Sequence, residues 1–488
     1  MVVNSFSFLL FFVVVFFGYY TPVIRNNPRY QNTWLFLSSY FFYGFADWKM
    51  IPLLLGATII FYGIGLWLKS EMDKGHTKNA SNITTFGVVL GVGVLLYFKY
   101  LNFFANSFSQ LLNAIGFNIS WSTLNIVLPV GVSFFTFKLI SYVIEVHREH
   151  IQPSKDFIEF GTYVAFFPTI LSGPIDRPNN FLPQLGGTRL FKYDLAVDGC
   201  RQILWGMFTK MCIADNLATV TDSAWAIYSE QAGSTLLVVA LLYFVQMYAD
   251  FDGYSNMAIG VGKVLGFNIT RNFNHPLLAR NTAEYWRRWH MSLTSWITDY
   301  VFMPLNIAFR ERGNLGVIFA CIINLVVIGL WHGANWTYGL FGLYHGVLFI
   351  PLVLSSSFGK TRKLKPGKYN LPKYTDFFKM TGTYFLVSLG LIIFRANSVT
   401  DALNFIEEIF SPTLLTLPDI SMSIVVLFFL FILFMLEWFQ RDKEFPLQIK
   451  QSYIEKKKWL PLFIDYIIIA AIIFRGNFTG NQFIYFQF

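Results

Sequence analysis

Val317-Ile-Phe-Ala-Cys-Ile-Ile-Asn-Leu-Val-Val-Ile-Gly-Leu330 carries no charge and runs straight into Trp331-His-Gly-Ala-Asn-Trp-Thr-Tyr-Gly-Leu-Phe-Gly-Leu-Tyr-His-Gly346. The apolar run falls slightly short of a membrane span of about 20 residues, and Trp331 with its neighbours extends it. A membrane helix ending at His332, with Gly333 after it, is the expectation. An ionisable side chain at membrane depth is costly, which makes His332 a candidate functional residue. Position alone also permits an interfacial histidine beside an aromatic belt of Trp331 and Trp336.

The rest of the chain repeats this character. Its 488 residues are 55% hydrophobic, 19% aromatic and 13% charged. Apolar stretches near span length recur from end to end, separated by short polar segments, so residues 1–488 read as a single all-α polytopic membrane domain. The 20-residue criterion gives roughly ten to twelve spans, some of them re-entrant. Phe6–Tyr20 has no basic segment before it and no small-residue cleavage site, and reads as a retained first helix. The net charge of +9 lies in loops. Lys360, Arg362, Lys363, Lys365, Lys368 and Lys373 form one cluster, and Lys443, Lys450, Lys456, Lys457 and Lys458 another. Both loops are expected to face the cytoplasm. These charges flank spans and lie on no soluble domain, so a nucleic-acid partner is not expected. Cys200, Cys212 and Cys321 show neither metal spacing nor a disulfide framework.

Several stretches carry polar groups into apolar surroundings. Pro129 and Gly131 interrupt residues 126–146, where Lys138 and Glu145, two helical turns apart, share a face suited to helix packing. Phe166–Pro178 holds three prolines and a glycine within 13 residues and is expected to be a broken or re-entrant segment buried in protein. Asp250 and Asp252 precede Gly253. Residues two apart do not share a helix face, so a catalytic carboxylate pair is not expected, and a helix ending is. Residues 271–300 form the most polar block. Thr282 is expected to open a helix, Glu284 and Arg288 to pair, and Trp286, Trp289 and Trp296 to sit at the membrane interface; an amphipathic interfacial helix accounts for this composition but not for His275 and His290 flanking it. Residues 399–410 look amphipathic.

Taken together, Leu128–Phe137, Phe166–Gln184, Ala214–Leu217, Asp250–Gly260, Arg271–Leu305, Trp331–Gly346, Phe394–Asn397 and the C-terminal tail resemble the membrane-bound O-acyltransferases (MBOAT), in the bacterial branch of alginate O-acetylases and peptidoglycan O-acetyltransferases. The resemblance implies a helical barrel around a central tunnel, in the bacterial cytoplasmic (inner) membrane. It implies that His332 is the essential histidine and His290 a supporting one. It also implies acetyl-CoA as acyl donor, no metal, an extracytoplasmic SGNH-type acetyltransferase partner and a cell-envelope polysaccharide as final acceptor. Histidine suits the removal of a hydroxyl proton near neutral pH. Asn335, Trp336 or a backbone N–H is a candidate donor to the oxyanion. His345, beside Gly346, fits a helix contact.

Residues 479–488 form a tail ending Phe483-Ile-Tyr-Phe-Gln-Phe488. Tyr485 offers a phenol nucleophile that, by the resemblance, carries the acyl group with His332 as base; an aromatic anchor at the interface is its other reading. The function classes open at this point are an acyltransferase and a transporter whose buried polar groups line a permeation path.

Overall fold

The structure is a computed structural model that describes residues 3–121, 123–360, 364, 367–449, 459–478 and 483. Among these residues the elements are helical and no strand occurs. Among the described residues, six helices are long and apolar enough to cross a membrane: Pro28–Asp73, Thr77–Ala114, Gly233–Val264, Arg310–His332, Trp336–Leu354 and Tyr374–Arg395. Phe6–Tyr19 and Ile424–Phe439 are shorter apolar helices. The expected ten to twelve spans exceed this number partly because two apolar segments join across bends. Pro28–Asp47 and Ile51–Asp73, for example, run together through a tight turn at Trp48–Met50. The protein is an all-α polytopic membrane protein.

The chain packs as two compact units, Met1–Cys200 with Ala258–Thr270, and Arg201–Met257 with Arg271–Phe488. In the first, helix Val132–His147 is buried along almost its whole length. It starts at Gly131, whose φ of +73° favours glycine, and a Cβ there would collide with the Ile170 carbonyl. Lys138 on this helix is buried and donates to the Tyr163 carbonyl at 3.2 Å and to Thr169 Oγ1 at 3.0 Å. The segment after Phe157–Ala165 is broken, as its prolines require, and resumes as Pro178–Leu185. Polar groups of the segment are met from within the protein: the Phe167 N–H donates to Ser39 Oγ at 3.1 Å, and the Asp176 side chain accepts from Thr270 N–H at 2.9 Å. Irregular backbone at membrane depth is tolerated on that condition.

The second unit corrects one expectation. Asp250 and Asp252 mark no helix end, because Gly233–Val264 runs through them as one helix of 32 residues. Gly253 serves a close helix crossing. A Cβ on Gly253 would lie 2.8 Å from the Gly206 carbonyl oxygen, and one on Gly206 only 2.5 Å from that of Gly253. The two carboxylates face different partners. Asp250 joins Asp215 in pairing with the buried Lys210, whereas Asp252 Oδ2 accepts from Asn256 at 2.8 Å. They form no acid–base pair. The amphipathic stretch folds as expected into Val399–Ile409, with Ala402, Phe405 and Ile409 on its buried side.

Because the Gly206–Gly253 crossing leaves no room for a side chain, Gly253→Val should destabilise the fold by about 1–3 kcal/mol through overpacking. A lowered melting temperature of the detergent-solubilised protein checks this, and a melting temperature equal to wild type would contradict it.

Candidate functional site

The motif at 331–346 folds as two helices joined by a short connection. Gly313–His332 ends at the histidine, and Trp336–Val347 begins after Asn335. Glycines let the pair approach backbone to backbone: a Cβ on Gly342 would overlap the Leu325 carbonyl, and one on Gly329 the Tyr338 carbonyl. Asn335 caps the second helix, accepting from Thr337 N–H at 3.1 Å while its amide donates to the Asn397 carbonyl at 2.9 Å. Its side chain is therefore committed to the fold. Trp336 is exposed.

His332 is 7% exposed. Its ring meets Phe394 edge-on at 5.0 Å between centroids and the adjacent Trp331 at 5.2 Å. Phe394 lies next to the end of helix Tyr374–Arg395 and packs on Phe341 and Tyr338. The position is a buried aromatic nest at a helix end, which removes the reading of His332 as a plain interfacial residue.

The polar block 271–300 supplies the second imidazole. Its first helix, Thr282–Trp286, opens at Thr282 as expected and is capped by Asn281, whose Oδ1 accepts from Glu284 N–H at 2.8 Å. Glu284 pairs with Arg288 at 2.8 Å, as the spacing predicts, and also with Arg280 at 3.0 Å. Trp286, Trp289 and Trp296 are buried, so the expected amphipathic interfacial helix is not formed. Trp289 instead packs against Phe273 at 5.0 Å and Tyr285 at 5.5 Å.

His290 opens the next helix, Met291–Ile297, with φ +43°. A non-glycine residue in the left-handed region costs roughly 1–2 kcal/mol and persists where the surroundings over-determine it. Two backbone bonds tie the stretch down: Met291 N–H to the Asn272 carbonyl at 2.8 Å and Asn274 N–H to the Arg288 carbonyl at 2.9 Å. His290 Nδ1 lies 2.9 Å from Asn272 Oδ1. The ring is 1% exposed, and burial pushes its pKa down to about 3. It lies outside the six candidate spans.

Trp331 brings the two histidines together. Its indole meets the His290 ring at 5.8 Å and the His332 ring at 5.2 Å, both edge-to-face. Phe251 closes the far side of His290 at 4.7 Å. The described part of the tail reaches this wall: Phe483 is fully buried, stacks on Tyr254 at 4.7 Å and touches Phe251 at 5.6 Å. Tyr485 lies outside the described residues.

Sequence reasoning missed two contributors. Asn272, a partner of His290, lies in the polar block but was not singled out there. Glu437 was overlooked, although it is the lone carboxylate in the apolar helix Ile424–Phe439, a signal that should have marked it. Glu437 accepts from Tyr248 Oη at 2.8 Å and lies 3.1 Å from His275 Nδ1, an ion-pair contact not aligned as a hydrogen bond. His345 is fully buried, with a Cβ on Gly390 falling 2.8 Å from its Nε2, and it fits the helix contact expected of it.

With this geometry in view, comparison with known proteins is informative. Residues 42–388 match the family model of the membrane-bound O-acyltransferases. The chain is 36% identical over 417 residues to the probable alginate O-acetylase AlgI of Pseudomonas aeruginosa, covering 84% of this chain and 75% of that one. It is 31% identical over 506 residues to the probable alginate O-acetylase AlgI of Pseudomonas putida, across 100% of both chains. It is 28% identical over 425 residues to the peptidoglycan O-acetyltransferase of Helicobacter pylori, covering 81% of this chain and 77% of the relative.

The Glu284 pairing sets a pH dependence on the wall that holds His290. Burial pushes the Glu284 carboxyl up, but hydrogen bonds from Arg280 and the charge of Arg288 outweigh it, and the net shift is downward. A carboxyl depressed in the folded state contributes stability above its unfolded pKa of about 4.3. It loses that contribution as pH falls through the folded value. Melting temperature against pH should therefore fall less steeply on acidification for Glu284→Gln than for wild type, and parallel curves would contradict the pairing.

Proposed function

The chain belongs to the membrane-bound O-acyltransferase family, and from that premise we propose that it moves an acetyl group from cytosolic acetyl-CoA across the bacterial cytoplasmic membrane toward O-acetylation of a cell-envelope polysaccharide. The relatives named for alginate and for peptidoglycan support an alginate-like exopolysaccharide or peptidoglycan as the polymer. An extracytoplasmic SGNH-type acetyltransferase completes the transfer. Family membership replaces the transporter alternative.

The observation that carries the reading is the buried pair of imidazoles on one indole, His332 and His290 against Trp331. His332 acts as the base. It takes the proton of a hydroxyl as that oxygen attacks the thioester carbonyl of the donor. A C–O bond forms, the C–S bond breaks, and the proton returns from the imidazolium to the departing sulfur, leaving a free thiol. The aromatic nest excludes water, so the acyl group goes to the positioned hydroxyl in preference to hydrolysis. His290 supports this step from the other edge of Trp331.

Tyr485 is the proposed first acceptor. Its phenol has an ordinary pKa of about 10 and needs a base to become a nucleophile. Support comes from Phe483, two residues earlier, which packs against Tyr254 and Phe251, the latter in contact with His290. The acetylated tyrosine then passes its acetyl group to the partner transferase, which delivers it to the polymer.

His332→Ala should lower acetyl transfer by about 10²–10⁴-fold, the usual contribution of a general base, while leaving the melting temperature close to wild type. Ester-linked acetate on isolated envelope polymers is the readout, and unchanged acetate in a His332→Ala strain would reject the reading. Tyr485→Phe should abolish polymer acetylation in cells. Full acetylation there removes the tyrosine relay and leaves transfer directly to another hydroxyl.

A further inference from the structure

Where helix Ile424–Phe439 begins and helix Trp459–Arg475 ends, the two frame a cavity of about 250 Å³. Asn216, Ser423 and Arg475 line it with polar groups, and Val425, Phe429 and Phe474 with apolar ones. The backbone beneath it is pinned. Asn216 Nδ2 bridges the Met211 carbonyl at 3.0 Å and the Arg475 carbonyl at 3.1 Å, and Asn477 N–H donates to the Met211 carbonyl at 2.9 Å. Arg475 therefore leaves its helix at a set position beside the cavity. Among the described residues its guanidinium forms no ion pair. Asp215 and Asp465, the carboxylates on the neighbouring elements, are held by Lys210 at 2.8 Å and by Arg201 at 3.0 Å. The cavity thus carries an uncompensated positive charge.

We propose that this cavity binds the headgroup phosphate of an anionic phospholipid, with Arg475 as its counter-ion. The guanidinium is suited to phosphate because its parallel N–H groups can meet two oxygens at once. The surroundings select an amphiphile over a free anion. Phe428, Ile473 and Phe474 beside the cavity are exposed, and in a membrane such a flank meets acyl chains while a long cationic side chain reaches the headgroup level. Size and side exclude the acyl donor. The volume lies below the roughly 300–1,000 Å³ of sites that enclose a whole drug-sized ligand, so a headgroup fits and a coenzyme does not. The chain between the two helices carries Lys443, Lys450, Lys456, Lys457 and Lys458, the basic loop expected in the cytoplasm. The ends that frame the cavity are the opposite ones, on the outer face and away from cytosolic acetyl-CoA. The inference is independent of the acyl-transfer reading and does not require it.

The test uses the full-length protein, freed of lipid in detergent and titrated with phosphatidylglycerol, phosphatidylcholine or inorganic phosphate. Bound lipid is counted by native mass spectrometry, and the melting temperature is followed alongside. Phosphatidylglycerol should bind and raise the melting temperature, because a ligand held by the folded state stabilises it. Phosphatidylcholine, whose own cation competes with Arg475, should bind more weakly, and inorganic phosphate should leave the melting temperature unchanged. Arg475→Gln should lower the phosphatidylglycerol affinity about tenfold, the usual effect of losing a hydrogen bond to a charged group. Arg475→Lys, which keeps the charge and loses the fork, should recover part of it. A folded Arg475→Gln protein with wild-type affinity overturns the inference. The wild-type comparison requires no variant to fold: equal affinity for the two lipids removes the role of charge and overturns it too. An equal rise with inorganic phosphate assigns the cavity to a free anion and rejects the lipid. A folded wild type that binds neither lipid shows a cavity closed by the chain itself, which also rejects the lipid.

Discussion

A polar group placed at membrane depth finds no water, so its partners must come from the protein itself. That constraint organises each of the buried polar centres described here. Lys138 is held by a carbonyl and a threonine of the broken segment, and Lys210 lies between Asp215 and Asp250. Glu284 is gripped by Arg280 and Arg288, and Glu437 by Tyr248 and His275. The contacts of Lys138, of Lys210 with Asp250, and of Glu437 join stretches that hydropathy alone would leave as separate elements. The same need brings residues 272–274 against 288–292, where backbone and side-chain bonds over-determine a left-handed histidine. The site is one outcome of satisfying these groups.

Much of this architecture is legible in the sequence. The histidine at a helix end could be read from an uncharged run followed by Trp-His-Gly, since helix length and glycine punctuation are local properties. Three prolines and a glycine demanded a broken segment, and i, i+4 spacing correctly paired Glu284 with Arg288. The failures share a cause. Gly253 looked like a turn because a glycine serving a helix crossing and one ending a helix carry the same letter; only the position of Gly206 separates them. The tryptophans of the 286–296 stretch looked interfacial because Phe273, one of the rings that bury them, lies outside that stretch. Nothing local marks His290 as left-handed, or shows that Trp331 joins it to a residue about forty positions away.

The histidines of the second unit show why residue type alone does not assign a role. His345 has neither ring nitrogen in a hydrogen bond among the described residues, and one of them abuts Gly390, so it fills space between helices. His275 has Glu437 at one nitrogen and the Lys443 carbonyl at 3.3 Å from the other. Its ring lies between two acceptor groups drawn from other stretches of the chain. His290 differs because only one of its nitrogens faces Asn272, whose oxygen is already oriented by Ser292. His332 differs again, being set among Trp331 and Phe394 at the end of its helix. Proton transfer needs an imidazole with one nitrogen anchored or sheltered and the other turned to a reactant. Among these four, His290 and His332 are the two whose rings share an indole. Trp331 thus does more than fill the space after an apolar run: by meeting both rings edge-on it sets the separation between the two imidazoles.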